Sequence, residues 1–212
     1  ETTGNRWFDD HRPFIITGSD YDRDFLWTCS DSGDMLAFRK AFESADELVF
    51  HNASYDVHML TTLGFTLDEL LAKTIHDTEI LARLTIPMHD TPNYKLKTLA
   101  EMFVSADARD SETAIRACMV SLGLIQKPDQ QEIPDGAFYE VWVAYPEIME
   151  KYAMADTRYT YDLFYLLQEK LNDNTRRCYT LEQRTLPVMI RMEDTGVAVD
   201  PPRVEELHAQ YV

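Results

Sequence analysis

Cysteine is scarce in this 212-residue chain: Cys29, Cys118 and Cys178 lie far apart and show no Cys-x-x-Cys spacing. That spacing excludes a disulfide framework and a zinc knuckle, and it points to a reducing, cytoplasmic compartment. Basic residues are also in short supply, 20 Lys and Arg against 37 Asp and Glu, for a formal charge of −17. A protein that grips nucleic acid by neutralising phosphates has the opposite balance. Any such contact must therefore be local, with metal ions cancelling the repulsion between carboxylates and phosphate. No apolar run approaches the ~20 residues needed to cross a bilayer, and no basic-then-apolar leader opens the chain. A Gly-rich phosphate loop and a Gly-x-Ser-x-Gly elbow are both missing, which removes nucleoside triphosphatases and α/β-hydrolases. His11, His51, His58, His76, His89 and His208 never form His-x-x-x-His or pair with cysteine, so a zinc site is not expected.

What remains is enough to close a core: 45% hydrophobic and 11% aromatic residues, in a length that suits one domain with a small appendage. Phe14 to Thr17 and Phe25 to Cys29 are β-rich runs around a polar stretch, which reads as a hairpin. Met35, Phe38, Ala41 and Phe42 recur at helical spacing. Glu47 to His51 reads as a short buried strand running straight into a helix that starts near Asn52 and stops at Gly64. Lys73 to Asp77 fits a further strand, and Thr78 to Leu84, Leu96 to Phe103 and Glu112 to Leu124 fit helices. Pro146 suits the first position of a long amphipathic helix through Leu171. Strands first and helices later argue an α/β layer, with helices flanking a mixed sheet. Basic residues number fifteen against thirty acidic ones up to Asn172, and five against seven after it, so a module boundary is expected near 172. Both ends read as cut, Glu1-Thr2-Thr3-Gly4 beginning without a cap and Pro201 to Val212 running into a helical pattern without a stop.

Three constellations offer chemistry. Tyr152 and Asp156, four apart on the long helix, project from one face with Cβ atoms about 5–6 Å apart. There a carboxylate can ligate a divalent ion while a phenol orients the attacking water. The pair is equally a Tyr packed on the sheet beside a solvated or Arg158-paired Asp. Asn52 closes a buried strand and Asp56 lies one turn into the next helix, in the crevice where open α/β sheets collect ligands. Asp56 could hold metal and Asn52 a nucleotide; the plainer alternative is an N-cap and a helix-start acid favoured by the macrodipole. Lys95, Lys97 and Arg109 are either contacts for entering phosphates or solvated loop charges. Tyr159, Tyr161, Phe164 and Tyr165 fall on several helical faces and read mainly as core.

Taken together, Glu-Thr-Thr-Gly, Asn-x-x-x-Asp some fifty residues on and Tyr-x-x-x-Asp about a hundred later resemble the three motifs of the DEDDy 3′→5′ exonucleases. The segments His76 to Leu84 and Tyr94 to Ala100 look like connecting segments of the same family. Thr180 to Asp200 resembles the junction at which the exonuclease of a polymerase I-type (family A) DNA polymerase passes into its polymerase domain. The resemblance implies a ribonuclease H-like mixed sheet flanked by helices over residues 1–172, its first strand cut short, and the helical start of a polymerase domain over 173–212. It implies metal ligands at Glu1, Asp56 and Asp156 for two divalent ions, Mg²⁺ or Mn²⁺. Tyr152 would orient the attacking water, and Thr2 and Asn52 would face the terminal nucleotide. The implied partners are a single-stranded or frayed DNA 3′ end and a covalently linked polymerase domain, with no membrane, in a nucleoid or an infected cell's cytoplasm. The first-motif Asp would stand two residues before Glu1, so this chain is expected to bind its metals incompletely and to be an inactive fragment. The alternative is a catalytically inactive exonuclease-like scaffold beside a polymerase.

Overall fold

The computed structural model of the chain describes residues 1–3, 11–129 and 132–211, which leaves Gly4 of the first motif and Val212 outside. The first ladder is the expected hairpin, β1 (Ile15–Ser19) antiparallel to β2 (Asp24–Thr28). Its turn is closed by Asp20, whose carboxylate accepts the N–H groups of Asp22 and Arg23 at 2.9 Å. Just before β1, Glu1 to Thr3 run antiparallel to Arg12 to Phe14, with Thr2 bridged to Pro13. The Phe14 N–H donates to Glu1 O at 3.0 Å and the Thr3 N–H to Arg12 O at 3.1 Å. Helix α1 (Ser32–Ser44) follows, its start capped by the Asp31 carboxylate.

The second ladder is parallel: β3 (Glu47–Phe50) pairs with β4 (Thr74–Asp77), with α2 (Ala53–Thr61) and α3 (Leu67–Leu71) in the crossover. One antiparallel and one parallel ladder give the mixed α/β arrangement expected. After β4 the chain is helical: α4 (Thr78–Thr85), α5 (Leu96–Phe103), α6 (Asp110–Ser121), α7 (Ala137–Ala144), α8 (Pro146–Glu169), α9 (Asp173–Thr195) and α10 (Pro201–Tyr211). Helices α3 and α7 are additions to the sequence reading. The first has five residues, and the second covers Ala137–Ala144, a stretch to which the sequence assigned no element.

Helix α8 organises the rest. Its 24 residues span about 36 Å, and it packs on both ladders as well as on α4, α5, α6 and α7. Met149, Ala153, Thr160, Leu163 and Leu167 form its buried stripe at three-, four- and seven-residue intervals. Thr17 on β1 donates its hydroxyl to Ala153 O at 3.1 Å, which fixes the hairpin over the 152–156 segment.

The sequence places a boundary near residue 172, and Asn172 does cap α9 with its side chain. Yet α9 packs on α2, α4 and β4. Tyr179, Leu186 and Ile190 are buried there in clusters shared with earlier elements, and the Tyr179 hydroxyl lies 2.8 Å from His76 Nδ1. By contrast α10 buries no residue. Among the described residues no helix is long and apolar enough to cross a membrane.

Candidate active site

Asp77 anchors the site although the sequence reading gave it no role. It ends β4 and caps α4, its carboxylate accepting the Glu79 N–H at 2.8 Å. The same carboxylate accepts the Asn52 N–H at 3.2 Å and the Ala53 N–H at 2.8 Å. One buried acid therefore serves the N-termini of two helices, satisfying donors that have no partner within either helix. Asn52 occupies the N-cap position of α2, but its side chain makes no cap bond, and its backbone is left-handed at φ 72°. Such a conformation costs an ordinary residue about 1–2 kcal/mol and turns the chain from β3 into α2. Asp56, one turn further, is carried to a fixed place by this corner.

Glu1 and Thr2 reach the same region from the other side. The Glu1 amino group donates to Ile15 O at 2.8 Å, and Thr2 Oγ1 lies 2.5 Å from the Tyr55 hydroxyl on α2. Glu1 is thereby tied to β1 and its neighbour Thr2 to α2.

The electrostatics show which groups share this space. Burial pushes the Asp56 carboxyl up to about 7; the Glu1 and Asp77 carboxylates add to the shift and the Glu1 amino group offsets part of it. Burial likewise pushes Asp156 up to about 6, with Lys97 opposing, Glu1 reinforcing and a hydrogen bond from Tyr152 opposing. The Tyr152 phenol is driven well above its ordinary value by burial, then by the charges of Asp156 and Glu1. Glu1 is thus the common electrostatic neighbour of Asp56, Asp156 and Tyr152. Three carboxylates in one region, two of them reluctant to ionise, mark a place short of positive charge.

Besides the Glu1 amino group, which acts on Asp56, Lys97 is the cation these shifts register, and it acts on Asp156. Its side chain is 10% exposed and its ammonium pairs with Asp156 Oδ1, an oxygen that makes no regular hydrogen bond. The ammonium also bonds Ser111 Oγ at 2.9 Å and stands 4.6 Å and 5.1 Å from the ring centroids of Tyr152 and Tyr159. Reading Lys97 as a loop charge is therefore wrong: it sits on α5, inside the apolar arc with Ala100 and Val104. A lysine on that arc is the signal that was available. Arg109 is instead held by Glu101 at 2.6 Å and Thr98 at 2.9 Å.

Two further expectations change. Arg158 does not pair with Asp156; its guanidinium holds Asp24 at 2.9 and 2.5 Å, because two residues along a helix turn the side chain to another face. Tyr165 is 53% exposed, so the aromatic group is only partly core, while Phe164 is buried. Asn52 is exposed, beside the site.

The donor chemistry suits a hard divalent cation, since it consists of carboxylate oxygens in a region of excess negative charge. Among the described residues, however, no three His, Cys, Asp or Glu side chains are grouped so as to hold a metal ion. At Asp156 the cation in place is the Lys97 ammonium.

Residues 1–172 match a polymerase A-type family profile described as 3′-5′ exonuclease. The chain is also similar to a DNA-directed DNA polymerase of Pseudomonas phage M6, 24% identical over 160 residues, which is 75% of this chain and 22% of that protein. The chain thus spans about a fifth of the length of that relative. With four-fifths of its residues inside the profile, the chain belongs to the 3′-5′ exonuclease family of polymerase A-type enzymes.

Proposed function

We propose that the chain is the editing nuclease of a longer DNA polymerase, removing the terminal nucleotide from a single-stranded or frayed DNA 3′ end. A paired terminus would first have to unstack, so frayed ends are preferred. Glu1, Asp56 and Asp156 are the metal ligands in this reading. When bound, two Mg²⁺ or Mn²⁺ ions supply hydroxide near neutral pH and stabilise the leaving 3′ oxygen. Tyr152 orients the attacking water through its hydroxyl, and Thr2 and Asn52 face the terminal nucleotide. Residues 173–212 begin the polymerase module, with α9 as a connecting helix docked on the nuclease.

One observation carries the reading: within the matched residues, Glu1 acts electrostatically on Asp56, Asp156 and Tyr152 together. The competing reading, an inactive scaffold, draws on the Lys97–Asp156 pair and on the lack of a three-ligand cluster among the described residues.

A 5′-labelled single-stranded oligonucleotide separates the two. The chain is assayed with an amino-terminal extension that places Asp two residues before Glu1. Metal-dependent shortening from the 3′ end, lost in Asp156→Ala, is the expected result. A folded, extended chain that leaves the oligonucleotide intact in both Mg²⁺ and Mn²⁺ refutes the nuclease reading.

A further inference from the structure

Lys97 raises a question that the nuclease reading leaves open: why a site built for cations carries a buried lysine against one of its carboxylates. A buried ammonium normally needs full compensation. Lys97 has more than Asp156 alone provides, namely a hydrogen bond to Ser111 at 2.9 Å and the faces of Tyr152 and Tyr159. Those three contacts are made to groups other than the Asp156 carboxylate, and aromatic faces attract a desolvated cation appreciably. The ammonium can therefore leave the carboxylate without entering water.

We propose that Lys97 is a resident cation of the site, neutralising Asp156 until a divalent ion displaces the ammonium onto Ser111 and the two tyrosine rings. Lys97 then sets the metal concentration at which the site loads. With Lys97 present, Asp156 is paired with an ammonium; without it, Asp156 keeps the Glu1 carboxylate as a neighbour and has no cation against it. An incoming divalent ion meets both a competitor for Asp156 and a like charge within a few ångströms, and at such separations Coulomb repulsion is large. Lys97 is a positioning residue here, and it acts on the metal through Asp156. The inference rests on Asp156 being a metal ligand.

The test uses terbium(III), an oxygen-seeking ion whose luminescence is sensitised by nearby tyrosine, titrated into the 212-residue chain and then displaced with Mn²⁺. Asp156→Asn identifies the signal that belongs to this site rather than to the acidic surface. Lys97→Met is expected to tighten binding by at least about tenfold, and Lys97→Gln, which can still bond Ser111, to do the same. Lys97→Arg should stay near the parent, and in the Asp156→Asn background Lys97→Met should change nothing. A lysine that merely supports the fold would give the opposite sign, because its loss would weaken binding. Unchanged or weaker affinity in a Met or Gln variant with the parent's circular dichroism and melting overturns the inference. If Asp156→Asn removes the signal while the Lys97 variants bind like the parent, this inference alone fails. If Asp156→Asn leaves the signal untouched, the ligand assignment fails and takes the inference with it.

Discussion

Asp56→Asn in the metal-free chain exposes the trade between stability and ligand chemistry. The Asp56 carboxyl titrates at about 7 in the fold against an ordinary 3.8. Its folded value is raised, so the unfolded chain gives up this proton first. Stability is full below 3.8 and falls as pH rises through about 7. Holding the group ionised at pH 8 costs at most about 4 kcal/mol. Water reaches part of the side chain, so about 2 kcal/mol is the working figure, and in a chain of this size that corresponds to about 5 °C in Tm. Asparagine keeps the shape and removes the titration. In thermal melts with a chelator present, Asp56→Asn should exceed the parent by about that much at pH 8 and by less than half as much at pH 5. Millimolar Mg²⁺ should then narrow the gap at pH 8, by stabilising the ionised parent. A variant that is less stable than the parent at pH 8, or equally improved at both pH values, would refute the reasoning.

Three further outcomes test other parts of the structure. Asp77→Ala leaves the N–H groups of Asn52, Ala53 and Glu79 without their acceptor, and should lower stability in urea titrations by about 2–4 kcal/mol; a loss under 1 kcal/mol would mean that the double cap is dispensable. Ile190→Ala, at a position 1% exposed on α9, should cost about 2–4 kcal/mol within a single cooperative transition; a separate early transition would instead make α9 an independent unit. Tyr152→Phe should slow 3′-end cleavage by the extended chain about 100-fold while Tm stays within a few degrees, and an unaltered rate would remove the phenol from the mechanism.

Much of the site was legible from local chemistry. The four-residue spacing of Tyr152 and Asp156 forces both onto one helical face, and a strand ending at Asn52 delivers Asp56 to a sheet edge, because period and capping are properties of short segments. The hairpin, the 47–50 strand, the starts of α4 and α5 and the proline at the head of α8 followed from the same rules. Other features have no local signature. Nothing near Lys97 in the chain says that its ammonium meets an acid 59 positions away. Arg158 found Asp24, not its near neighbour, only because the hairpin folds over α8. Asp77 became a double cap because the parallel pairing of β3 and β4 puts the start of α2 against the start of α4. The charge balance changes at Asn172, and beyond it α9 packs on α2, α4 and β4, which no local pattern announces, since burial depends on which surfaces meet in space. The sequence by itself determined which groups could do chemistry and on which elements they ride. The tertiary structure alone decided which charges face each other, because electrostatic partnership depends on distance through the fold and not along the chain.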